Sequence, residues 1–196
     1  MSILNVWLIR HGESTINAGL WTNLPHAAHL TTKGQEQAKK VAAEITARPD
    51  LIVVSPAQRS KDSAAPIIEH WSDVPIKICP IQEFTYLSPA KFQNDLPLPE
   101  RTIMVEDYWS RCDPFFCDGD GAESFADFIK RLEAFHQCLL NQKGFLVVVG
   151  HGQFFRAYQL GLLQGFAATP IWMQQFRTKE RSQPMVNSEV LKLEFH

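Results

Sequence analysis

Residues 3–9 (Ile-Leu-Asn-Val-Trp-Leu-Ile) form an apolar run that stops abruptly at Arg10-His11-Gly12. Asn5 is the run's only polar interruption, so it reads as a mostly buried strand of a parallel sheet, covered on both faces. In such folds ligands bind just beyond the carboxyl ends of the strands. An arginine and a histidine at that point, followed by a glycine, make a site for an anion and a nucleophile. The rest of the chain is read for what could complete it.

Residues 12–30 show little periodicity and contain Gly12, Asn17, Gly19, Asn23 and Pro25, as expected of a loop lying over the strand's end. Thr32 and Gln35 have capping-box spacing, and Ala38, Val41, Ala42 and Ile45 make one apolar stripe, so a helix follows and Pro49 stops it. Residues 51–54 are a short β-branched strand ending at Ser55-Pro56-Ala57-Gln58-Arg59, where a second helix begins and runs to about Trp71. A third strand covers 76–79, with Glu83 close behind. Residues 84–122, rich in prolines and aromatics, read as an insertion or lid above the sheet, with a helix over 100–109. Phe125, Phe128, Ile129, Leu132, Phe135 and Leu139 mark the best helix, capped by Asp120 or Ser124 and closed by Gly144. Residues 145–149 are another buried strand, ending in Gly150-His151-Gly152. A helix over 153–163 comes next, and an alternating edge strand occupies 190–195.

This order predicts a single α/β domain over 1–196. It is a three-layer α/β/α sandwich with a mostly parallel sheet, one antiparallel edge strand and the 84–122 insertion over the active site. Right-handed crossovers bring the parallel strands' carboxyl ends to one rim, which gathers Arg10, His11, Arg59, Glu83 and His151. With 45% hydrophobic residues, a formal net charge of -2 and no basic run, the chain carries no nucleic-acid footprint. No stretch is long and apolar enough to predict a membrane span, and the N-terminus lacks a leader's pattern. The four cysteines have no CxxC spacing, which predicts free thiols and a cytoplasmic setting.

Two arginines and two histidines around one point bind phosphate oxygens well, because the guanidinium fork matches them and charge-assisted bonds are strong. With a carboxylic acid as proton donor, the set fits phosphoryl transfer through an attacking histidine. His26, His29, His70, His136 and His196 read as surface or capping residues. Asp118-Gly119-Asp120-Gly121 lacks the glutamate of a calcium loop and reads as a turn. No metal site and no cofactor are expected.

Arg10-His11-Gly12-Glu13-Ser14 with Asn17 resembles the signature of the histidine phosphatase superfamily, the phosphoglycerate mutase-like fold. The stretches 30–38, Ser55-Pro56-Ala57-Gln58-Arg59 with Ser63-Ala64, Gln82-Glu83, Gly121-Ala122-Glu123-Ser124 and Gly150-His151-Gly152 resemble its further motifs, in order and across nearly the whole chain. The resemblance implies that His11 is the phosphorylated nucleophile and Glu83 the proton donor. Arg10, Arg59 and His151 would bind the phosphoryl group, with Asn17 assisting. It implies a metal-independent, histidine acid phosphatase-like phosphomonoester hydrolase acting on a small phosphorylated substrate. The alternatives are a mutase and a weakly catalytic phospho-ligand binding protein. Where the family's mutases carry Thr-Gly-Trp, this chain has Asn23-Leu24-Pro25; where they carry Arg-His-Tyr-Gly after the acid, it has Phe84-Thr85-Tyr86-Leu87. Both departures favour hydrolysis. Asn23, Phe84, Tyr86 and Arg101 are candidates to touch the leaving group. Gly150 stands where the family often has serine or threonine, so His151 is expected to be oriented by backbone contacts. Gly12 is expected to keep the phosphate uncrowded.

Overall fold

Five strands form one sheet in the order β3-β2-β4-β1-β5. The strands are β1 (Leu4–Arg10), β2 (Leu51–Val54), β3 (Ile76–Ile78), β4 (Gly144–Gly150) and β5 (Val190–Phe195). The first four are mutually parallel, and β5 pairs antiparallel with β1 at the edge. The architecture is therefore the expected mostly parallel α/β sheet with one antiparallel pair. The computed structural model describes residues 3–20, 24–92 and 97–196.

Alternation along the strands feeds two cores, one on each face of the sheet. Leu4, Val6 and Leu8 of β1, with Leu146 and Val148 of β4, pack under helices α4 (Phe125–Leu140) and α5 (Gly152–Gln164). Ile9, Ile52, Val54, Val147 and Val149 face helices α1 (Thr32–Glu44) and α2 (Gln58–His70). Burial on both faces is why β1, β2 and β4 read as continuous apolar runs.

Thr31, not Thr32, caps α1: its hydroxyl accepts from Gly34 N at 3.1 Å. The helix ends at Glu44, before Pro49 is reached. Ser124, not Asp120, caps α4 by accepting from Asp127 N at 3.1 Å. Gly144 does not close that helix, which ends at Leu140. It opens β4 with φ of 79°, where a Cβ would collide with the Asp50 carboxylate.

The 84–122 stretch contributes to the core. Its helix α3 (Leu98–Arg111) is longer than expected and buries Tyr108 and Trp109. Phe84 stacks on Phe128 of α4 with ring centroids 4.7 Å apart. A sixth helix, α6 (Pro170–Ser182), has no counterpart among the expected elements. Thr169 caps it, and Trp172, Met173 and Phe176 bury its inner face. Among the described residues no helix is long and apolar enough to cross a membrane.

Candidate active site

Strands β1 and β4 are neighbours in register, with Arg10 opposite Gly150, so the next residues leave the sheet side by side. His11 N donates to Gly150 O at 2.9 Å, and the His11 and His151 rings lie 5.1 Å apart, edge to face. Ser55 leaves β2 one strand away, its N–H donating to Val149 O at 3.0 Å. Arg59 stands in the first turn of α2 and reaches back over both rings: its Nε donates to His11 Nε2 at 3.1 Å, and its Nη2 approaches His151 Nδ1 at 3.2 Å.

These partners assign the protons. A carbonyl only accepts, so the 2.7 Å contact from His11 Nδ1 to Gly12 O puts the proton on Nδ1. The lone pair is then on Nε2, the atom that faces Arg59. Burial, reinforced by Arg59 and Arg10, pushes the His11 pKa down to about 3, so the ring is neutral and nucleophilic at pH 7. His151 is held differently. Its far nitrogen, Nε2, meets the hydroxyls of Ser55 at 2.8 Å and Ser60 at 3.1 Å. Hydroxyls both donate and accept, so Nε2 can carry the proton while Arg59 donates to Nδ1, and once Arg59 turns to a substrate the proton can stand on Nδ1 and be presented to a phosphate oxygen. Burial, then Arg59, holds its pKa well below the ordinary histidine value.

Glu83, partly buried, stands on the other side. Its Oε2 accepts from Gln153 N at 3.0 Å, at the first turn of α5, and the Phe154 N–H adds to this. Burial raises its pKa; Arg59, Arg10 and the two backbone donors pull the other way without cancelling the rise. When ionised, Glu83 opposes the lowering effect of burial on the pKa values of Arg10 and Arg59. Arg10 donates one Nη to the Met185 carbonyl, while its buried Nε has no partner. An unpaired buried cationic donor is costly, and a phosphate oxygen satisfies it. Among the described residues no cluster of three His, Cys, Asp or Glu side chains could hold a metal ion.

Beyond this pole opens a cleft of about 590 Å³, walled by Ile16, Leu24, Pro25 and Ala27 on one side and by Phe84, Tyr86, Leu87 and Pro89 on the other. Phe84 and Tyr86 both line the cleft, and Phe84 is also a core residue. Arg101, in the first turn of α3, is not among the residues that line it. Asn23 lies outside the described residues. Asn17 sits beside the loop that follows β1, but its Oδ1 is taken up by Ser14 N at 3.1 Å and by Asn187 Nδ2 at 3.1 Å. Asn187, which also donates to the His11 carbonyl at 3.2 Å, was not legible as a site residue; it arrives from the turn before β5. His26 is exposed, as expected of a surface residue, and it also borders the cleft, where the 3-10 turn Pro25–Ala27 gives its Pro25 carbonyl to Arg59 Nη1 at 2.8 Å.

The family model for the histidine phosphatase superfamily (branch 1) matches residues 6–180. The chain belongs to that superfamily. An adenosylcobalamin/alpha-ribazole phosphatase of Salmonella typhimurium is 31% identical over 148 residues, covering 69% of this chain and 70% of the relative. A solved mycobacterial hydrolase superposes with a TM-score of 0.72 at 21% identity, covering 99% and 93% of the two chains. A mycobacterial glucosyl-3-phosphoglycerate phosphatase solved with VO3 gives 0.70 at 21% identity, covering 96% and 90%.

One departure of this histidine phosphatase from its family's pattern, Gly150, has a physical reason. His151 is not oriented by backbone contacts: Ser55 and Ser60, both fully buried, supply the hydroxyls that a residue at Gly150 could not. Gly150 itself is required by packing, since a Cβ there would stand 2.7 Å from the Phe155 ring. The Ser55→Ala/Ser60→Ala double variant is expected to raise the phosphate Kd and lower kcat/KM by about 10- to 100-fold, the cost of leaving a buried ring nitrogen unpaired. Calorimetric titration with phosphate beside steady-state kinetics checks this. Gly12 also has a packing role. A Cβ there would meet the Gly34 carbonyl oxygen at 2.5 Å, and one on Gly34 would run into the backbone of Glu13. The two glycines let the loop after His11 rest directly on α1, and Gly12 N is fixed by Ser63 Oγ at 3.0 Å.

Proposed function

We propose that this phosphatase is a metal-independent phosphomonoester hydrolase that works through a phosphohistidine on His11. The observation that carries the reading is the assigned tautomer of His11, with a neutral Nε2 lone pair held against a guanidinium. Phosphoryl transfer depends chiefly on positioning and on offsetting charge over the equatorial oxygens. Arg10, Arg59 and His151 take the phosphoryl oxygens; Arg59 exchanges its two histidine contacts for the substrate. His11 Nε2 attacks phosphorus in line, the N–P bond forms and the ester P–O bond breaks. Glu83, whose hold on a proton burial strengthens, gives that proton to the departing oxygen. As a carboxylate it then takes a proton from water, whose oxygen attacks phosphorus. The N–P bond breaks, inorganic phosphate leaves, and Glu83 is protonated again. The relatives' named substrates support a small phosphorylated organic compound as substrate.

Turnover of 4-nitrophenyl phosphate is expected to be unaffected by excess EDTA. Acid-labile, alkali-stable label from a 32P-labelled monoester is expected on the peptide containing His11 after rapid alkaline quench. A requirement for added metal, or label on another residue, overturns the reading.

A further inference from the structure

The cleft beyond the phosphate pole carries a statement about the alcohol half of the substrate. Its walls are aliphatic and aromatic: Ile16, Leu24 and Pro25 face Tyr86, Leu87 and Pro89. Among the described residues lining it, the only charged groups are Arg59 and Glu83, and both are engaged at the phosphate. The remaining titratable groups are Tyr86, whose pKa burial raises, and His26, whose pKa is lowered by partial burial and then by Arg59, which disfavours its cation. A carboxylate or second phosphate entering here would lose its hydration and meet no cation, which is costly. An apolar body would instead gain by leaving water. A volume of about 590 Å³ holds more than a three-carbon chain and falls within the usual range for organic ligands.

We infer that the substrates are monoesters of an uncharged, largely apolar, ring-bearing alcohol, and that the enzyme discriminates against leaving groups bearing a second anion. The inference rests on the proposed hydrolase reading and adds the substrate class. Gln153 and Thr85, on the same walls, are the polar groups available to a hydroxyl on that alcohol.

The test compares alkyl monoesters of similar leaving-group basicity, so that chemistry does not mask fit. 2-Phenylethyl phosphate is expected to exceed 3-phosphoglycerate and fructose 1,6-bisphosphate in kcat/KM by at least about tenfold. Equal or inverted preference overturns the inference, and preference for 3-phosphoglycerate favours the mutase alternative. Placing a cation on the wall with Leu24→Arg, at an exposed position, is expected to narrow the ratio by raising activity on 3-phosphoglycerate; an unchanged ratio counts against the cleft as the discriminating element. If no alkyl ester turns over, the hydrolase reading fails on its own, and the inference is still decided by binding. Calorimetry on His11→Ala with 2-phenylethyl phosphate and 3-phosphoglycerate is expected to give the same ranking, and the reverse ranking overturns it.

Discussion

His11→Ala is expected to lower kcat on any phosphomonoester by about 10⁴- to 10⁶-fold, the range seen when a covalent nucleophile is removed from an otherwise intact site. Phosphate should still bind, because Arg10, Arg59 and His151 remain. The variant should fold: His11 is buried, but its backbone N–H and carbonyl, which bond to Gly150 and to Asn187, are untouched. Its removal also frees Arg59 from one of its two imidazole contacts. The measurements are single-turnover kinetics and phosphate calorimetry, side by side with His151→Ala. That second variant should weaken phosphate binding while still forming some phosphoenzyme. The difference follows from the far nitrogens: a carbonyl locks the tautomer of His11, whereas hydroxyls leave His151 free to donate. Retained turnover in His11→Ala, with loss in His151→Ala, would exchange the two roles.

The phosphate pole was legible in the sequence because each of its residues follows a strand or opens a helix. The β1 run ends at Arg10 and the β4 run at Gly150, and parallel pairing does the rest. Glu83 was reachable by the same logic, five residues beyond β3. What escaped was set by long-range contact. Ser55 and Ser60 look like ordinary residues of a strand-to-helix junction, and only the crossing of β4 beside β2 brings His151 to them. His26 and Asn187 lie on irregular segments whose paths are decided by Arg59 and by the turn into β5. Helix α6 escaped for a compositional reason: three buried apolar side chains, Trp172, Met173 and Phe176, are spread among glutamines and charges. Its Thr169-Pro170 start was a usable signal, a capping residue followed by proline at the first helical position.

Glu83→Gln should separate the two half-reactions. Glutamine keeps the acceptor for Gln153 N but can neither give nor take the proton. On an alkyl monoester, whose leaving oxygen needs that proton, kcat should fall by about 10²- to 10⁴-fold. On 4-nitrophenyl phosphate the leaving group departs without one, so phosphorylation of His11 should persist while water attack stalls. Stopped-flow traces should show a burst of nitrophenolate approaching one equivalent per site, followed by slow turnover; absence of the burst would remove Glu83 from the second step. The same variant reports on stability. Burial raises the Glu83 pKa above its unfolded value despite Arg59 and Arg10, so folded protein binds the proton more tightly. The associated stability is then complete below the unfolded pKa and is lost as pH rises through the folded one. Glutamine, neutral at every pH, escapes that loss. Its melting temperature should therefore exceed the wild type's at pH 8 and approach it near pH 4. A site that stabilises an ionised Glu83 would show the opposite pH trend, with a carboxylate that was never the resting acid.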